Sequence, residues 1–157
     1  MIYGIQPLAK VLGESGCYWF SLCKAAEVCL QSPVDPFLEA SRAIAVGTLR
    51  ASDAFLLDPE AAFTGLTLAL GYSWNVIKAG DGLDSAGFMY PLPLDYKCSQ
   101  GEYDILRFER PNPEGGAPLP HFVYGNGKGG VSWDPWPGSR TVAEGKLISR
   151  RIIRRKA

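Results

Sequence analysis

The chain has 157 residues, 46% of them hydrophobic and 20% charged, which fits one globular domain with its own core rather than two. Sixteen Lys and Arg balance sixteen Asp and Glu, so there is no basis for a general attraction to nucleic acid or anionic membrane. The N-terminus has no basic segment leading into an apolar run. The most apolar region, 55–70, carries Asp58 and Glu60 and is too short and polar to span a bilayer. The expectation is a soluble, cytoplasmic protein.

The first helix is expected from near Gly16 to about Leu30. Trp19, Leu22, Cys23, Ala26 and Leu30 recur at the spacing of one buried face, Ser15 is placed to cap the start, and Gln31-Ser32-Pro33 ends it. Asp35-Pro36 and Asp58-Pro59-Glu60 each put a capping carboxylate before a proline at the first helical position. Gly47 and Gly71 close those two helices. Residues 48–57 read as a short connector.

Beyond Gly71 the character changes. Residues 74–78 predict a strand, 80–94 a Gly- and Pro-rich loop, 103–109 a strand and 111–120 a second loop. Residues 121–124 and 131–133 predict two strands joined by a glycine turn, and 147–154 a last strand. Helices come first and an antiparallel sheet follows, so the fold class is α+β in a single domain, 1–157, with a helical half over about 1–72 and a sheet half over about 73–157.

Four cysteines, Cys17, Cys23, Cys29 and Cys98, do not have the spacing of a disulfide framework, and no Cys-x-x-Cys pair exists. Reduced thiols are expected and no metal site. Cys23 and Cys29 fall mid-helix and read as small core hydrophobes. Cys17 falls in a first helical turn, where backbone N–H groups and the helix dipole favour thiolate, the nucleophilic form. His121 is the only histidine. Asp134 follows thirteen residues later, after the next strand, in Trp-Asp-Pro-Trp. A hairpin at 125–130 returns Asp134 to the level of His121, where it holds the ring as an orienting carboxylate; the competing reading is a turn aspartate before proline. For an oxyanion, the backbone N–H of Cys17 is one donor and Gln6 a second, unless Gln6 is only a solvated side chain near a frayed end. Trp133 and Trp136 flank Asp134 and are expected to shield the His–Asp hydrogen bond and line the substrate cleft, whereas Trp74 belongs to the core.

Two other signals carry less. Gly125-Asn-Gly127-Lys-Gly129-Gly130 matches Gly-x-Gly-x-x-Gly, but Val-Ser-Trp-Asp-Pro follows instead of a helix, so it reads as a β-turn and no cofactor is expected. The basic tail, 149–156, reads as an edge strand protected by charge or as a solvated end.

Gly16-Cys17-Tyr18-Trp19, His121-Phe122-Val123, Asp134-Pro135 and Gln6 together resemble the papain-like cysteine peptidases of the bacteriocin-processing, double-glycine peptidase-like type and their uncharacterised bacterial and phage relatives. Residues 45–59 and the following stretch to Leu70-Gly71 resemble the helical half of that group. The resemblance spans nearly the whole chain through short motifs. It implies a papain-like fold, a Cys17–His121–Asp134 triad and hydrolysis of a peptide or amide bond through an acyl-enzyme. The chain departs from the pattern at one place. The family's oxyanion glutamine stands about six residues before the cysteine, where this chain has Val11, and Gln6 stands eleven before. A catalytically degenerate binding module, phage- or secretion-linked, is the alternative, and cleavage of a cell-wall peptide or acyl transfer would use the same triad.

Overall fold

The computed structural model describes residues 2–157, with side chains from residue 8 onward. It is α+β. Helices α1 (Ile2–Ser15), α2 (Cys17–Leu30), α3 (Pro36–Val46) and α4 (Pro59–Leu66) precede strands β1 (Trp74–Gly80), β2 (Tyr103–Arg110), β3 (Leu119–Gly125) and β4 (Val131–Trp133). A short α5 (Arg140–Glu144) and β5 (Lys146–Arg155) complete the chain. The five strands form one sheet in the order β1-β5-β2-β3-β4, every neighbouring pair antiparallel.

The Asp-Pro signals act as read. Asp35 accepts hydrogen bonds from the Phe37 and Leu38 N–H groups at 3.0 and 3.2 Å, and Asp58 accepts one from Ala61 at 3.0 Å. Gly47 ends α3 at φ 84°, a left-handed conformation open to glycine. α4 stops earlier than expected, at Leu66, and a single 3-10 turn (Leu68–Leu70) carries the chain to Gly71. The cause is Thr67, whose hydroxyl turns back to the Phe63 carbonyl at 2.8 Å and accepts from the Trp74 indole at 2.9 Å.

α1 and α5 are additions to the sequence reading. Pro7 and the glycines at 4 and 13 mask the helical pattern of α1, yet Leu12 is fully buried beneath α2 and Leu8 and Val11 pack on the same core. Ser15 is not the cap of α2. Gly16, which has no side chain to cap with, takes that place; its N–H donates to Leu12 O at 2.8 Å and its carbonyl accepts from Phe20 N at 2.8 Å. The two helices meet at this residue so closely that a Cβ on Gly16 would lie 2.5 Å from Leu12 O. Gly16→Ala should therefore shift the start of α2 and lower stability by about 1–3 kcal/mol, measurable in a urea melt. An unchanged midpoint would mean the junction relaxes without cost.

The basic tail is neither an edge strand nor a solvated end. β5 lies between β1 and β2, inside the sheet. Three of its four arginines find partners on other parts of the chain. Arg150 is fully buried on Asp104, Arg154 pairs with Glu102 at 2.8 Å, and Arg155 lies over the ring of Tyr72 at 3.6 Å. Ile152 and Ile153 point to opposite faces and are both buried. The helices cover one face, with Trp19, Leu22, Phe63, Trp74, Ile105 and Ile153 at the centre of the core. No helix among the described residues is long and apolar enough to cross a membrane.

Candidate active site

The site assembles where α2 begins against β3. Tyr18, in the first turn of α2, stacks on Phe122 with ring centroids 4.4 Å apart and planes 13° apart. One turn later, Ser21 Oγ donates to the Cys17 carbonyl at 2.8 Å and reaches the Phe122 carbonyl at 3.2 Å. These contacts bind the dipeptide Cys17-Tyr18 to the dipeptide His121-Phe122. The Phe122 backbone N–H favours the thiolate form of Cys17, against the effect of burial.

His121 opens the buried part of β3 and is only 6% exposed. The hairpin at 125–130 forms as read, with Gly127 and Gly129 at φ 83° and 92°, and β4 brings the chain back. Asp134, immediately after β4, places Oδ1 2.7 Å from His121 Nε2. The same oxygen accepts the Trp136 N–H at 2.8 Å, a local turn that aims the carboxylate. With Nε2 held by a carboxylate, that nitrogen carries the proton, and Nδ1 is left as the basic atom of the neutral ring.

The two tryptophans divide their work differently from the expectation. Trp136 packs on His121 at 5.3 Å between ring centroids and meets Phe20 edge-on at 6.2 Å, covering the imidazole. Trp133 turns away from the histidine, with the Lys24 ammonium 5.6 Å from its ring centroid. It lines a groove of about 420 Å³ with Phe20, Cys23, Lys24, Val34 and Pro135, running along α2 from the Trp136 end of the site.

The electrostatics of Cys17 correct the sequence reading. Burial pushes its thiol above the ordinary value of 9.0, and the nearby Asp134 charge pushes the same way. The backbone N–H groups of Phe122, Tyr18 and Cys17 oppose the shift without overcoming it. Desolvation of the charged form is the largest of these causes, so the direction favours thiol over thiolate. Tyr18, pushed up to about 12 by burial despite the opposing Arg151 charge, stays a neutral phenol.

The side chain of Gln6 lies outside the described residues. Val11, six residues before Cys17, is a partly buried contact of the core. Cys23 is buried, Cys29 and Cys98 are half-buried, and all four thiols are free. No group of three or more His, Cys, Asp or Glu among the described residues is arranged to hold a metal ion.

Sequence reasoning missed Ser21 and two arginines. Ser21, four residues after Cys17, was open to discovery from helical spacing alone. Arg107 on β2 and Arg151 on β5 both lie over the Phe122 ring, at 5.9 and 5.5 Å. Only the strand order brings them there. Comparisons with known protein families, with curated proteins and with solved structures found no match to this chain.

Proposed function

We propose that the protein is a thiol-dependent hydrolase with a papain-like fold, cleaving a peptide or amide bond. The observation that carries this reading is the His121–Asp134 pair at 2.7 Å on a strand whose next residue, Phe122, stacks on Tyr18 in the first turn of the Cys17 helix. In this reading His121 Nδ1 removes the Cys17 proton as sulfur attacks the scissile carbonyl. The oxyanion receives the Cys17 backbone N–H. His121 then returns the proton to the leaving amine, which departs and leaves a thioester on Cys17. A water molecule, deprotonated by the same nitrogen, adds to the thioester carbonyl; the C–S bond breaks, the acid is released and the thiol is restored. Asp134 holds the imidazole in one tautomer and stabilises the imidazolium. Peptides are the expected partners, and cell-wall peptide cleavage or acyl transfer would use the same residues.

A second reading, a binding module with a degenerate site, draws on the raised Cys17 thiol and on Val11 at the glutamine position. Iodoacetamide labelling of Cys17 against pH, with peptide mapping, separates the two. The hydrolase reading expects two limbs: one below pH 9.0 that depends on His121, and a second above 9.0 as thiolate forms. His121→Ala should erase the lower limb and keep the upper. A single upper limb in both proteins would sink the hydrolase and favour the module.

A further inference from the structure

The hydrolase reading leaves the substrate class open, and the wall beside Cys17 has a chemistry of its own. Phe122 is the floor of that wall. Tyr18 covers one part of its ring, and the guanidinium carbons of Arg107 and Arg151 lie 5.9 and 5.5 Å from its centroid. Tyr18 directly follows Cys17; the Cys17 group is among those that act on the Arg107 charge, and Arg151 acts on Tyr18, so the two cations lie on the nucleophile's side of the site, while His121 points to the other face of β3. Their places are set by register. Arg107 is directly across from Phe122 in the β2–β3 ladder, and Arg151 is directly across from Ile105, two residues along β2. All three side chains therefore share the face that looks toward α2.

Gathering two cations on one partly buried face is unfavourable without an anion. Burial and the neighbouring Arg151 charge hold Arg107 below its usual value, while Tyr90 and Cys17 act the other way. Within the protein the compensation is incomplete. Arg107 pairs with Glu109. Arg151 donates to a neutral partner, Ser149 Oγ, at 2.6 Å, and is not paired with a carboxylate among the described residues. One positive charge is thus left over against Tyr18 and Phe122. Lys78, across from Arg151 in the β1–β5 ladder and exposed, extends the positive field outward.

We propose that Arg107 and Arg151, gathered on the Phe122 ring beside Cys17, receive a carboxylate of the substrate close to the bond that is cleaved, so that the preferred substrates are acidic peptides. This rests on the hydrolase reading for the word substrate. A guanidinium fork matches a carboxylate in two parallel hydrogen bonds, and a carboxylate is the anion a peptide has to offer. An acidic side chain and a free C-terminus present the same group.

The test uses two alkylating agents of equal size, iodoacetate and iodoacetamide, which differ by one carboxylate. Their rates at Cys17 are read by peptide mapping, and their ratio cancels the intrinsic reactivity of the thiol. The expected ratio in the folded protein is at least about tenfold above that of Cys17 in the urea-unfolded chain, the size of one charge-assisted contact. It should fall toward the unfolded value in Arg151→Gln and recover in Arg151→Lys. A ratio equal to that of the unfolded chain, or one untouched by Arg151→Gln, overturns the proposal. So does protection of Cys17 by inorganic phosphate stronger than by acetylglutamate at equal ionic strength, which would assign the pair to phosphate. The lower, His121-dependent limb of iodoacetamide labelling reports separately on the hydrolase reading, so the two failures are distinguishable.

Discussion

Arg150→Met should destabilise the protein by about 3–5 kcal/mol, the usual cost of stranding one member of a buried ion pair. A domain of this size has about 5–15 kcal/mol in all, so the variant sits near the edge of folding. Arg150 and Asp104 are both 0% exposed, with Nη2 to Oδ2 at 2.7 Å and Nε to Oδ2 at 3.0 Å. The guanidinium also donates to the carbonyls of Leu94, at 2.9 Å, Tyr96, and Gly127, at 3.2 Å. Asp104 Oδ1 in turn accepts the Gly127 N–H at 2.8 Å. One ion pair thus clamps the 94–98 loop and the 125–130 hairpin onto β2 and β5. In Arg150→Met the Asp104 charge is left in a dry site and the Leu94 and Tyr96 carbonyls lose their donor, while Gly127 keeps the Cys98 N–H. Urea unfolding followed by tryptophan fluorescence measures the loss. The double variant Arg150→Met, Asp104→Leu should recover part of it, because the stranded charge is gone while the carbonyls stay unsatisfied. A single variant within about 1 kcal/mol of wild type would show that water reaches the pair and the clamp is not dry.

The largest expected effect on chemistry comes from the orienting carboxylate and the ring it holds. On the hydrolase reading, His121→Ala and Asp134→Ala should each lower kcat/KM by about 10²–10⁴-fold, the range of a positioned proton-transfer group. Asp134→Asn should be far milder, and the reason is local. Asp134 Oδ1 accepts from the Trp136 N–H at 2.8 Å as well as from His121 Nε2 at 2.7 Å. An amide at this position keeps its oxygen on the Trp136 N–H, because its NH₂ would repel that donor. The oxygen therefore still faces Nε2 and the tautomer is preserved. The order wild type, Asn, Ala in a steady-state assay checks the argument. Asn as damaging as Ala would mean that negative charge, rather than tautomer control, is what His121 needs from its partner. Once a peptide substrate is in hand, the same assay tests the pairing of acidic substrate with Arg107 and Arg151.

These effects separate what was legible in the sequence from what was not. Asp35-Pro36 and Asp58-Pro59 marked helix starts because a cap is a contact between residues two or three apart. The glycine turn between β3 and β4 was legible for the same reason, and with it the return of Asp134 to His121. α1 was hidden because Pro7 and two glycines weaken its local pattern, and burial of Leu12 under α2 supplies what propensity lacks.

Composition and local pattern alone thus determined an α+β chain, its Asp-Pro helices, its hairpin, and a lone histidine thirteen residues before an aspartate. The tertiary structure decided the rest. It set β5 inside the sheet, so that an arginine-rich tail became a buried strand whose charges are met by Asp104, Glu102 and aromatic rings. It half-buried Cys17, so that desolvation raises its thiol, and it drew Arg107 and Arg151 onto Phe122. The physical reason is range. Caps and turns are closed by neighbours in the chain. The partners of a buried charge come instead from residues tens of positions away, 46 for Arg150 and Asp104, which only strand order brings together.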